Sequence, residues 1–78
     1  MNEALQFIVK SIVDNPDKVS IGEQDDNGIL NLIVTVSKED MGKVIGKEGK
    51  VIRSIRNIMK IKAMKTGKKI NISLNEIE

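Results

Sequence analysis

Cysteine and histidine are both absent from this chain, tryptophan and tyrosine are absent too, and Phe7 is the only aromatic residue. Without cysteine there is no disulfide framework, no thiolate chemistry and no Cys-based metal site, and without histidine the usual acid/base group of an active site is missing. A catalytic reading therefore starts at a disadvantage, and neither a metal nor another cofactor is expected. The core must be built from Ile, Val, Leu, Met and Ala. No long hydrophobic run occurs: the opening stretch MNEALQFIVKSIVDN interrupts a short apolar pattern with acidic and polar residues, so it fits neither a secretory leader nor a membrane span. The expectation is a soluble, cytoplasmic protein without a membrane partner. Seventy-eight residues allow one small domain spanning 1–78, with a single modest core.

Net charge is only +2, but its distribution is two-sided. Residues 41–69 carry ten basic side chains against Glu48 alone, whereas the rest of the chain carries three lysines against ten carboxylates. Exposed lysines on a helix need no purpose beyond solvation. Ten basic side chains concentrated around a glycine turn point to an anionic partner.

Hydrophobic spacing divides the chain into six elements. Leu5, Ile8 and Ile12 recur at helical intervals over residues 3–13, widened by Ala4, Val9 and Val13, with Asn2 as a candidate cap. Asn15-Pro16-Asp17 ends that helix, because Pro16 has no N–H and constrains the residue before it. A short strand over 19–23 leads into a hairpin loop over 24–28, where Asn27-Gly28 tolerates positive φ. Residues 29–36 form the clearest strand, with Leu30, Leu32, Val34 and Val36 on one face. Ser37 is placed to cap a short helix whose first turn holds Glu39 and Asp40, and from which Met41, Val44 and Ile45 face inward. After Gly46-Lys47-Glu48-Gly49 a long amphipathic helix runs over about 50–65, with Ile52, Ile55, Met59 and Ala63 as its apolar stripe. Arg53, Arg56 and Lys60 share another face of it. Gly67 ends this helix, and Ile70, Ile72 and Leu74 alternate with polar residues in a last strand. The order α-β-β-α-α-β predicts an α+β two-layer sandwich of three helices on a three-stranded mixed sheet. The first two strands pair antiparallel; the helical crossover allows the third to run parallel to a neighbour, which the sequence does not specify.

The stretch VIGKEGKVIRSIRNIMKIKA, residues 44–63, concentrates the functional signal. Glycines at 46 and 49 let the backbone turn sharply between two helices and leave amides unshielded at a helix N-terminus, where an anion is favoured. Lys43, Lys47, Lys50 and Arg53 surround that turn and can add charge-assisted contacts to a phosphate backbone.

Val44-Ile45-Gly46-Lys47-Glu48-Gly49-Lys50-Val51-Ile52 resembles the VIGxxGxxI signature of KH RNA-binding domains, whose GxxG loop clamps about four single-stranded nucleotides. The resemblance extends over essentially the whole chain, and the element order is similar to the type II, bacterial form. In length and in having a lone KH domain, the sequence resembles the small bacterial proteins of the KhpA (YlqC) group. That resemblance implies a non-catalytic single-stranded RNA-binding protein of the RNA chaperone or post-transcriptional regulator type. It further implies self-association, pairing with a larger KH-containing partner of the KhpB (Jag or EloR) type, and a link to cell elongation and division. It places Gly46, Lys47, Glu48 and Gly49 at the phosphate backbone, and Ile45 and Ile52 in support of the turn and as the floor of a narrow groove for bases. Lys43, Lys50, Arg53 and Arg56 complete the expected RNA-binding set. Ordinary core packing is the competing explanation for Ile45 and Ile52. Glu48 would repel a phosphate it faced, so its side chain is expected to turn outward or toward the helix N-terminus.

Other chemistries fit less well. Residues 42–48 superficially resemble a P-loop, but that motif has four residues between its glycines and Ser or Thr after the lysine. Asp25 and Asp26 read as solvated loop residues, and Met41, Met59 and Met64 as core or interface filler. The scarcity of aromatics argues against a sheet that stacks bases on exposed rings. A helix-turn-helix reader of duplex DNA would have to read bases with little beyond Arg53, Arg56 and Asn57. A protein-interaction module forming homo- or heterodimers, with weak or indirect nucleic-acid binding, remains as the alternative.

Overall fold

The computed structural model describes residues 2–77. Helix α1 (Asn2–Ile12) is followed by a 3-10 turn (Pro16–Lys18), strands β1 (Ser20–Asp26) and β2 (Ile29–Ser37), and helix α2 (Lys38–Ile45). A second 3-10 turn (Lys47–Gly49), helix α3 (Lys50–Lys65) and strand β3 (Lys69–Ile77) complete the chain. This is the α-β-β-α-α-β order expected from the hydrophobic spacing.

The sheet has the order β1-β2-β3. β1 and β2 form an antiparallel hairpin, with Ile21 opposite Val34, and β2 and β3 run parallel, with Leu32 opposite Ile72 and Val34 opposite Leu74. The central position goes to the most apolar strand: Leu32, Val34 and Val36 are buried, while β1 has only Ile21 half-buried and carries Glu23, Asp25 and Asp26 on the sheet edge. Charge on an edge strand opposes pairing with another chain. One apolar stripe from each helix closes the core over this sheet: Leu5 and Val9 from α1, Val44 from α2, and Ile52, Ile55, Met59 and Ala63 from α3.

Three boundaries differ from the sequence reading. Asn2 is the first residue of α1 instead of its cap; its side chain accepts from Gln6 Nε2 (2.8 Å) and donates to the Ile21 carbonyl (3.3 Å), tying the helix to β1. The hairpin loop contracts from five residues to two. Asn27 (φ 54°) and Gly28 (φ 84°) suffice for a tight turn matching the strand twist, and Asp25 accepts the Gly28 N–H (3.3 Å) from within β1. At the other end of the domain, α3 closes with Lys68 N–H on the Ala63 carbonyl (3.0 Å) and Gly67 N–H on Met64 (3.2 Å), the paired bonds of a Schellman ending.

The third difference concerns Ser37 and Asp40. Ser37 does not cap α2 through its side chain, and Asp40 is not a surface acid in a first turn: it is 1% exposed. Its Oδ1 accepts the Asp14 N–H (3.1 Å), and its Oδ2 accepts the Asn15 N–H (3.0 Å), Asn15 Nδ2 (3.1 Å) and the Ser37 hydroxyl (3.0 Å). Asp40 thus anchors the segment that leaves α1 to the start of α2, and a buried carboxylate is tolerable there because its oxygens are hydrogen-bonded. Burial pushes the carboxyl pKa upward, but the Asp14 and Asn15 amides, with the Asn15 and Ser37 side chains, outweigh it and hold the group below its ordinary value of 3.8.

The unfolded chain therefore binds this proton more readily than the folded one, so the stabilisation is complete above pH 3.8 and is lost as pH falls through the lower folded-state value. Asp40→Asn is expected to melt below the parent at neutral pH, with the gap closing once the pH drops below that range. A gap that persists unchanged in acid would mean the carboxylate charge is not what the four donors require.

Candidate nucleic-acid interface

The turn between α2 and α3 is set by backbone geometry. Gly46 has φ 74° and ψ 172°, a combination essentially restricted to glycine, and a Cβ there would lie 2.3 Å from Val51 Cγ2 and 2.9 Å from the Val51 nitrogen. The chain from α2 thus passes against the first turn of α3 with no room for a side chain. Glu48 (φ 58°) and Gly49 (φ 75°) follow in the left-handed region, which is uncommon for a residue such as Glu.

Two of the amides expected to be open are closed within the turn: Gly49 N–H donates to the Gly46 carbonyl (3.1 Å) and Lys50 N–H to Lys47. Among the described residues, the N–H groups of Lys47 and Glu48 form no backbone hydrogen bond, so the free donors sit at the centre of the turn. Both of these residues are exposed. Arg53 braces the turn from α3, donating through Nη2 to the Glu48 carbonyl (2.6 Å). A guanidinium has five N–H groups, so this bond leaves donors over.

The remaining expected residues occupy distinct places. Lys43, one turn before Gly46, is ion-paired to Asp14, whose hydrogen bond and charge raise its pKa against a smaller effect of desolvation. Among the described residues, Lys47 and Lys50 have no side-chain hydrogen bond or ion pair. Ile52 is a core residue, 7% exposed, whereas Ile45 ends α2 at 37% exposed because the Gly46 turn carries the chain away just beyond it, against the inward orientation expected of it. Arg56 leans on the sheet edge, donating to the Ile72 carbonyl (3.3 Å).

A cleft runs beside that contact, between α3 and β3. One part, about 110 Å³, is lined by Arg56, Lys60, Ile70, Asn71 and Ile72; a second, about 320 Å³, shares Lys60, Ile70 and Asn71 and extends to Met64 and Lys68. It is apolar on its floor and basic at its rim. Neither Ile45 nor Ile52 lines these two parts. Ile70, Asn71 and Ile72 were legible in sequence only as an alternating strand. Their place beside Arg56 follows from β3 taking the sheet edge next to α3, for which no local signal exists.

A helix–GKEG–helix turn packed on a mixed sheet in the order α-β-β-α-α-β is the architecture of a KH domain, a class of single-strand nucleic-acid-binding modules. Residues 2–74 match the family described as "KhpA/KhpB, KH domain", and the chain belongs to that family. It is 40% identical over 74 residues to a protein of Clostridium perfringens, covering 95% of this chain and 99% of the relative. It is 40% identical over 76 residues to one of Listeria monocytogenes (97% and 100%) and 37% identical over 76 residues to one of Chlamydia trachomatis (97% and 97%). Each of these relatives bears the name RNA-binding protein KhpA. No described helix is long and apolar enough to cross a membrane, and among the described residues no group of acidic side chains could hold a metal ion.

The steric reading of the turn predicts different outcomes at two glycines of nearly equal φ. A Cβ at Gly67 (φ 72°) meets nothing within 4 Å. Gly67→Ala is expected to cost about 1–2 kcal/mol, the penalty of a left-handed alanine. Gly46→Ala must also displace Val51, so it is expected to cost at least about 3 kcal/mol, lowering Tm by about 12 °C or more in a domain of this size. Equal melting shifts for the two variants would show that Val51 gives way freely.

Proposed function

We propose that this protein binds single-stranded RNA without catalysis, holding the phosphate backbone at Gly46, Lys47, Glu48 and Gly49. The observation that carries this reading is the turn itself: a glycine-only backbone closely packed on Val51, with the Lys47 and Glu48 amides free and exposed lysines on both sides. Unpaired amides favour an anion and lysines neutralise a polyanion. Bases from the held strand lie toward the α3–β3 cleft, where Ile70 and Ile72 offer apolar contact and Arg56, Lys60 and Asn71 offer polar groups. Lys43, Lys50 and Arg53 add positive charge around the turn, and Ile45 and Ile52 support it from the apolar side. The names of the relatives support RNA as the ligand. A cytoplasmic role as an RNA chaperone or post-transcriptional regulator follows from that ligand and from the type II resemblance.

A second reading has its own observation and is compatible with the first. Ile58, Ile61 and Met64 recur at three-residue spacing along α3 and are 45%, 58% and 77% exposed. We propose that this ridge pairs with a second copy of the chain, or with a larger KH-containing protein of the KhpB type, which the name of the family couples with KhpA. A single KH module grips few nucleotides, and a dimer would supply a second grip with the avidity that linked sites confer.

The first reading is tested with Lys47→Asp/Glu48→Asp. Both side chains are exposed and Asp tolerates the left-handed region, so the variant is expected to fold like the parent and to lose binding to a short single-stranded RNA, while parental binding weakens steeply with salt and exceeds binding to duplex DNA. Binding by the variant equal to that of the parent would overturn the clamp. For the second reading, sedimentation at high micromolar concentration is expected to show a dimer that Ile61→Lys converts to monomer; a parent that sediments as monomer would remove it.

A further inference from the structure

Lys43 is the basic residue one turn upstream of Gly46, and its ammonium is held by the Asp14 carboxylate. Asp14 is not a loose acid at a helix end, because its own N–H is bonded to Oδ1 of the buried Asp40 (3.1 Å), which stations the segment against α2. The two paired side chains are 45% and 74% exposed, so a polyanion arriving at the turn reaches both.

We infer that Asp14 is a built-in competitor for phosphate at Lys43, holding the ammonium in the free protein and yielding it to a backbone phosphate when RNA occupies the turn. This rests on the RNA-binding reading above. A phosphate offers Lys43 the same kind of contact as a carboxylate, charge for charge, so the exchange is close to balanced. An exposed ion pair shifts an equilibrium by only about two- to fivefold, small enough for a polyanion to displace and large enough to set affinity. The pair also favours the charged form of Lys43, as does the more distant Asp40 carboxylate, so the lysine stays cationic for transfer. The turn consequently faces an incoming strand with Lys47 and Lys50 unpaired and Lys43 in reserve.

The test measures Kd and its salt dependence for a mixed-sequence single-stranded RNA 12-mer, using the full chain, Asp14→Asn, Lys43→Gln, the double variant and Asp17→Asn. Asp17→Asn makes the same charge change on a nearby exposed residue with no ion pair among the described residues and controls for net charge. Asp14→Asn is expected to bind about two- to fivefold more tightly than the parent. Its plot of log Kd against log salt should be steeper by less than about 0.7, the increment for a whole phosphate on a single strand, because salt screens the competing carboxylate while both proteins neutralise the same phosphate. Lys43→Gln should bind more weakly, and the double variant no more tightly than Lys43→Gln. The inference is overturned if Asp14→Asn matches the parent, gains no more than Asp17→Asn, or still gains when Lys43 is absent. A parent that binds no RNA overturns the underlying reading instead, and melting curves confirm that each variant is folded.

Discussion

Between Gly46 and Val51 there is no space for a side chain, and the arrangement of the molecule around the α2–α3 turn depends on that contact. It lets α2 deliver the chain directly against the first turn of α3. The residues that follow turn in so small a span that the Gly46 and Lys47 carbonyls are used internally, by the Gly49 and Lys50 amides. What remains is a protrusion with two free N–H groups at its tip and lysines around it. The same geometry fixes the start of α3, and with it the direction in which Ile52, Ile55, Met59 and Ala63 enter the core.

Asp40 serves the same end from the other side of α2. A carboxylate accepting two backbone N–H groups, a side-chain amide and a hydroxyl ties three other residues to itself at once, so the exit of α1 and the entry to α2 are one rigid unit. Lys43 and Asp14 extend that unit toward the turn. The acidic and basic halves of the chain therefore meet at a defined place instead of attracting one another diffusely, and the basic face of α3 is left largely open.

The cleft between α3 and β3 completes the division of labour. Its floor is the apolar face of an edge strand, which is why Ile70 and Ile72 can belong to the core and border a groove together. Edge strands ordinarily need protection from other chains. In this protein the arginine reaching over β3 from α3 shields one exposed carbonyl, and carboxylates do the equivalent work on β1.

Local features of the sequence determined the six elements, their order and the position of the turn. Period-two and helical spacing report which face of a segment is apolar, Pro16 and Gly67 interrupt that spacing, and two glycines three apart mark the turn between α2 and α3. The tertiary structure alone decided that β3 lies parallel to β2 at the sheet edge, that Asp40 is buried, and that Lys43 faces Asp14. Each of these joins residues far apart in the chain: Asp40 meets Asn15 and Leu32 meets Ile72. An exposed aspartate in a first turn and a buried one that anchors another segment have the same local pattern. Only the packing of one helix against another, which places donors opposite the carboxylate, tells them apart.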